Sequence, residues 1–159
     1  MSSDSPSNFS HLDAEGHARM VNVGQKPDQC RIAEASGFIR LQPATVVALR
    51  DQTLPKGDVL TVAKIAGIQA AKRTSELIPL CHPLPLHGVD IRFTLENEGV
   101  KINAIAETTG KTGVEMEALT AVSGAALTIY DMCKSMDKTM VIEAIQLISK
   151  TKSNVGESA

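Results

Sequence analysis

Three short segments gather side chains able to move protons or hold a charged ligand: IPLCHPLPLH at 78–87, GVEMEALT at 113–120 and IYDMCK at 129–134. In the first, Cys81 and His82 stand between Pro79 and Pro83, with Pro85 close behind. Proline fixes φ and restricts the residue before it, so this backbone is stiff enough to present a side chain accurately to a ligand. The same residues read as well as a Pro-rich turn with an incidental histidine and a buried cysteine. Zinc ligation by Cys81, His82 and His87 is the weaker reading, because Cys81 and His82 are adjacent and no second paired motif accompanies them.

GVEMEALT supplies two carboxylates. Glu115 has a structural role at hand as the reciprocal member of a capping box with Thr112, whereas Glu117 has none. In IYDMCK, Asp131 and Lys134 lie three apart on a helix, the spacing of an ordinary surface ion pair. TTGKTG at 108–113 fails as a Walker-type phosphate loop, because Ile105 stands where a glycine is required five residues before Gly110. Glu117 and Asp131 are separated by roughly 20 Å along a continuous helix, at about 1.5 Å per residue. Either Glu117 precedes the helix in a loop, or one pocket combines segments from two chains of a symmetric oligomer. A shared interface site is the expectation.

The elements that must position these residues follow from periodicity and turn chemistry. Residues 1–16, rich in Ser, Asp and Asn, cannot repay the entropy of ordering and are expected to form a flexible tail. Extended pieces over 18–23 and 30–41, broken by Gly24 and Pro27, suggest an N-terminal hairpin. Pro43 suits the start of a short helix to about Arg50, and Asp58 can cap a longer one from Val59 to about Ile78, ended by Pro79. Val89, Ile91, Phe93 and Leu95 alternate with polar residues, and Val100, Ile102, Ala104 and Ala106 repeat the pattern after Asn97-Glu98-Gly99, the clearest hairpin of the chain. An Ala-rich helix from the capping box to about Met136 and a strand over 140–148 complete a β-α-β-β-α-β order. The expected fold is α+β, a ferredoxin-like antiparallel sheet with helices on one face plus the N-terminal hairpin. A sheet covered on one face only leaves the other to solvent or a second subunit, so an oligomer is expected.

Composition narrows the function classes. With 159 residues and 43% hydrophobic content, the chain can bury one sizeable core, read as a single domain over 17–150 followed by a flexible C-terminal tail over 151–159. A formal charge of −2 and 3% aromatic content offer neither a basic field nor stacking platforms for nucleic acid. No long apolar run suggests a membrane span or signal peptide. The three cysteines contain no CxxC pair, which fits a reducing cytoplasm.

Taken together, KGDVLTVAKIAGIQAAKRTSELIPLCHPLPL and KTGVEMEALTAVSGAALTIYDMCK resemble the cyclic pyranopterin monophosphate synthases, the molybdenum cofactor biosynthesis protein C family, over about residues 20–150. The resemblance implies a catalytic ferredoxin-like domain, assembled as a homohexamer (a trimer of dimers) with active sites at subunit interfaces. It implies a phosphorus–oxygen lyase that rearranges 3′,8-cyclo-7,8-dihydroguanosine 5′-triphosphate, supplied by a radical S-adenosylmethionine GTP cyclase, to cyclic pyranopterin monophosphate and pyrophosphate, with no cofactor of its own. By position, Asp131, Lys56 and Lys134 match the family's catalytic residues. Leu80, Cys81, His82, Met116 and Glu117 match its substrate contacts, with Glu115 beside them, and Lys26, Arg31 and Lys150 match basic positions facing the triphosphate. Two departures stand out: TKSNVGESA follows Lys150 where the family usually has a Gly-Gly-Lys-Ser-Gly tail, and Asn22 stands where an aspartate is usual. The alternative is a non-catalytic pterin- or nucleotide-binding oligomer on the same scaffold, and turnover separates the two; stoichiometric zinc would instead favour a metal-binding module.

Overall fold

β1 (Gln29–Arg40) is the strand around which the rest is arranged in the computed structural model, which describes residues 15–156. After it come α1 (Pro43–Arg50), α2 (Val59–Lys72), α3 (Thr74–Leu77), β2 (Leu86–Glu96), β3 (Gly99–Gly110), α4 (Glu115–Cys133) and β4 (Val141–Asn154). The sheet order is β2-β3-β1-β4, and every neighbouring pair is antiparallel. Helices pack on one side of this sheet, giving the α+β architecture and the β-α-β-β-α-β succession that the alternating patterns indicate.

Period-2 alternation in β3 sends Val100, Ile102, Ala104 and Ala106 to the helix side, where all are fully buried. They meet Ala118, Ala121, Val122, Ala125 and Ile129 on one face of α4, all fully buried as well. α2 lies against α4 at unusually close range, and its small residues are the reason. A side-chain carbon on Gly124 would stand 2.6 Å from Ala70 Cβ, and one on Gly67 2.7 Å from the Ala121 carbonyl oxygen. Glycine at those two facing positions lets the backbones approach, and the surrounding alanines seal the contact.

Four expectations need correction. Among the described residues no strand pairs with β1 from the N-terminal side: Ala18 makes an isolated bridge and residues 19–23 are irregular, because β3 and β4 occupy both edges of β1. The helix beginning after the Asp58 cap, where Oδ1 accepts from Thr61 N at 3.1 Å, stops at Lys72 instead of Ile78. Arg73 leaves the helical region at φ −111°, and the Thr74 hydroxyl takes the Ala71 carbonyl at 2.9 Å, competing with the backbone ladder. The capping box does not form; Val114 holds the cap position of α4, and Glu115 is its first residue. Finally, β4 continues to Asn154 opposite Gln29, so residues 151–154 belong to the sheet rather than to a tail. Residues 1–14 of the expected N-terminal tail lie outside the described residues.

Candidate functional site

Two groups of polar side chains collect at opposite ends of α4. At its C-terminal end Asp131 is exposed on the last turn and Lys134 follows as the C-cap, with Lys134 Nζ donating to Asp131 Oδ1 at 2.6 Å. Lys56 arrives from the turn before α2, whose Gly57 takes φ 85°, a left-handed conformation that glycine adopts without strain. Its Nζ donates to the Asp131 carbonyl oxygen at 2.9 Å and reaches Oδ2 at 3.5 Å. A helix C-terminus carries partial negative charge, so both ammonium groups are favourably placed there. The Lys134 hydrogen bond and charge, followed by the charge of Lys56, hold the Asp131 carboxyl below the ordinary aspartate range. The same hydrogen bond holds Lys134 above the ordinary lysine range. Lys134 is therefore held as a cation at neutral pH in this arrangement.

At the N-terminal end of α4, a cavity of about 320 Å³ is lined by Lys26, Leu80, Cys81, His82, Glu115, Met116 and Glu117, with Val21 and Val23 closing one side. The stiff Pro79–Pro85 segment brings in Cys81 and His82, and His82 Nε2 bonds to the Val21 carbonyl oxygen at 2.7 Å. Glu117 is only 4% exposed. Burial pushes its carboxyl above the ordinary range against its own backbone N–H, and the neighbouring Glu115 charge pushes the same way. Burial, and then the Glu117 charge, likewise raises the Cys81 thiol, so Cys81 is not an activated nucleophile. For Glu115 burial is outweighed by the hydrogen bond from Lys150 at 2.9 Å, with the Lys150 and Arg31 charges adding, and the carboxyl lies below its usual range.

Beside this cavity a second one, of about 240 Å³, is lined by Arg31, Gly113, Val114, Glu115, Lys150 and Lys152. Arg31 is fixed by three acceptors: Nε donates to the Gly110 carbonyl at 3.1 Å, and Nη2 to Gln29 Oε1 at 3.1 Å and the Lys111 carbonyl at 3.4 Å. Sequence reasoning passed over Val21, Val23, Lys111, Thr112, Gly113 and Lys152. A signal for three of them lay in TTGKTG: rejected as a Walker loop, it nonetheless ends β3 and carries Lys111, Thr112 and Gly113 into the loop before α4, where Lys111 Nζ donates to the Gly24 carbonyl at 2.6 Å.

Thus Lys26, Arg31, Leu80, Cys81, His82, Glu115, Met116, Glu117 and Lys150 adjoin one another, while Lys56, Asp131 and Lys134 form a separate cluster. Glu117 and Asp131 are fourteen positions apart on unbroken α4, about 21 Å at helical rise. His87 does not join His82; its Nδ1 accepts from Thr109 N at 3.1 Å. Among the described residues no three His, Cys, Asp or Glu side chains are grouped to hold a metal ion, and no helix is long and apolar enough to cross a membrane.

Comparison with known proteins gives a consistent result. The MoaC family profile matches residues 20–153. A Heliobacterium modesticaldum protein named cyclic pyranopterin monophosphate synthase is 58% identical over 150 residues, covering 93% of this chain and 94% of its own. Proteins of the same name from Peptoclostridium acidaminophilum and Chloroflexus aurantiacus are 55% and 54% identical, over 94% and 98% of this chain and 95% and 96% of their own. With the profile spanning both polar clusters and identity above half over nearly the whole length, the chain belongs to the MoaC family.

Proposed function

We propose that the chain is a cyclic pyranopterin monophosphate synthase, a phosphorus–oxygen lyase that converts 3′,8-cyclo-7,8-dihydroguanosine 5′-triphosphate to cyclic pyranopterin monophosphate and pyrophosphate. The relatives' name gives the product. The geometric observation that carries the reading is the convergence of Lys56 and Lys134 on the exposed Asp131. Opening a guanine-derived ring and closing a cyclic phosphodiester require protons to be delivered and withdrawn. Lys134, held protonated by Asp131, is suited to stabilising negative charge, and it can release a proton once substrate draws it away from that carboxylate. Asp131 stays ionised and orients both lysines.

The half-buried end supplies recognition. Glu117 and His82 offer hydrogen-bonding groups to the guanine-derived ring, and in a partly desolvated pocket such bonds count for more than in water. Lys26, Arg31 and Lys150 face the triphosphate and offset charge on the departing pyrophosphate. The catalytic cluster of one copy completes the pocket of another. Supporting this are the two clusters at opposite ends of α4 and the exposed apolar Ile32, Val141, Ile145 and Ile148 on β1 and β4. A homohexamer built as a trimer of dimers, in the cytoplasm, fed by a radical S-adenosylmethionine GTP cyclase, completes the reading.

The test is to supply the cyclised GTP intermediate and follow pyrophosphate and pterin release by the wild type and by Lys56→Ala, Asp131→Ala and Lys134→Ala. Turnover by the wild type with strong loss in all three variants is expected. Absence of wild-type turnover would leave a non-catalytic binding oligomer and sink the enzyme reading.

A further inference from the structure

The cations around the loop preceding α4 outnumber the carboxylates that face them. Lys150 is paired with Glu115, and Arg31 spends its bonds on carbonyl and amide oxygens. The Lys152 ammonium has no hydrogen-bond or ion-pair partner among the described residues.

Register explains where Lys152 sits. In the β1–β4 ladder Lys152 lies directly opposite Arg31, and Lys150 opposite the buried Ala33. Successive side chains alternate between faces, so Lys150, Lys152 and Arg31 share the face of Ala33, on which α4 packs. α4 begins only at Glu115. Beyond its first turn this face opens into two cavities of about 240 and 420 Å³, both lined by Arg31, Gly113 and Lys152. Like charges directly opposite in a ladder repel one another, and a polyanion held between them turns that cost into attraction.

We propose that Lys152 is a ligand of the substrate's polyphosphate, at the two phosphates that leave, so that this subsite binds inorganic pyrophosphate on its own and the product competes with substrate there. The inference rests on the function proposed above for the chemistry of the ligand, but its binding test does not depend on turnover.

Inorganic pyrophosphate is titrated calorimetrically into the full-length wild type, Lys152→Met, Lys152→Arg and Lys101→Met, the last an exposed lysine opposite Phe38 at the far end of β1. Loss of one charge-assisted hydrogen bond at a partly exposed site corresponds to about 10-fold weaker binding by Lys152→Met. Lys152→Arg should stay within about 3-fold of wild type and Lys101→Met should be unchanged, since only a charge facing the cavity matters. In turnover, Lys152→Met should raise KM and the pyrophosphate inhibition constant while leaving kcat within about 2-fold, as for lost uniform binding. Equal pyrophosphate affinity in wild type and Lys152→Met, or an equal loss in Lys101→Met, would overturn the assignment. Lys152-dependent pyrophosphate binding by a protein that turns nothing over would uphold it and remove the synthase reading instead.

Discussion

Asp131 receives both lysines at an exposed helix end, where ion pairs add little to stability. A structural role would therefore barely justify the cluster, and the two roles separate on substitution. Asp131→Asn should lower kcat/KM by about 10²- to 10³-fold, the range for a group supporting proton transfer, while Tm moves by no more than about 2 °C. Pyrophosphate release and thermal unfolding measure the two. Asp137, three residues beyond Lys134, behaves in the opposite way. It is 2% exposed and accepts from Gln42 N at 2.7 Å and Thr139 N at 2.9 Å, tying the loop after α4 to the start of α1. Burial alone would raise its carboxyl, but the Gln42 and Thr139 amides and the Thr139 and Thr45 hydroxyls hold it below the ordinary range. A folded value below the unfolded one means stability that is complete above about pH 4 and is lost as pH falls through the folded value. Asp137→Asn should cost about 2 kcal/mol at pH 7, with a smaller difference from wild type at pH 3, as read by urea unfolding.

At the scale of elements, the contact of α2 with α4 depends on Gly67 and Gly124. Alanine is the better helix former by about 1 kcal/mol, yet at these crossings the added methyl group has no room. Gly124→Ala should therefore destabilise, by about 1–3 kcal/mol in chemical denaturation, as overpacking does. A gain in stability would mean that the helices can separate cheaply. The sequence made some elements plain and hid others for identifiable reasons. The β2–β3 hairpin was legible because Val89, Ile91 and Leu95 alternate strictly and Asn97-Glu98-Gly99 marks the turn. The N-terminal hairpin was a false signal, since local alternation says nothing about whether β1 has a free edge. The end of β4 was invisible because Lys150–Asn154 is polar and exposed, held by ladder hydrogen bonds to β1 rather than by burial. Glu115 fitted a capping box by spacing, but Lys150, 35 residues away in sequence, takes its carboxylate. Long-range pairing of that kind leaves no local pattern, and for the same reason Lys152 escaped notice beside Arg31.

For the whole molecule, α4 acts as a spacer. Nineteen residues long, or about 28 Å, it keeps Glu117 and Asp131 too far apart to serve one small substrate within a single chain. The candidate residues were legible in the sequence, and their separation by an unbroken helix was legible as an alternative; on the proposed function the surface that brings the ends together lies between copies, which one chain's sequence pattern does not encode. With the proposed function, two copies must share each pocket. The most direct measurement is therefore complementation: Glu117→Gln and Asp131→Asn chains are produced separately, then together, and assayed for pyrophosphate release from the cyclised GTP intermediate. Each variant alone should be nearly inactive. Random pairing puts both lesions into one of the two pockets of a mixed dimer and leaves the other intact, so the mixture should recover about a quarter of wild-type activity. Mixed oligomers that form yet recover nothing, beside a wild type that turns over, would contradict it.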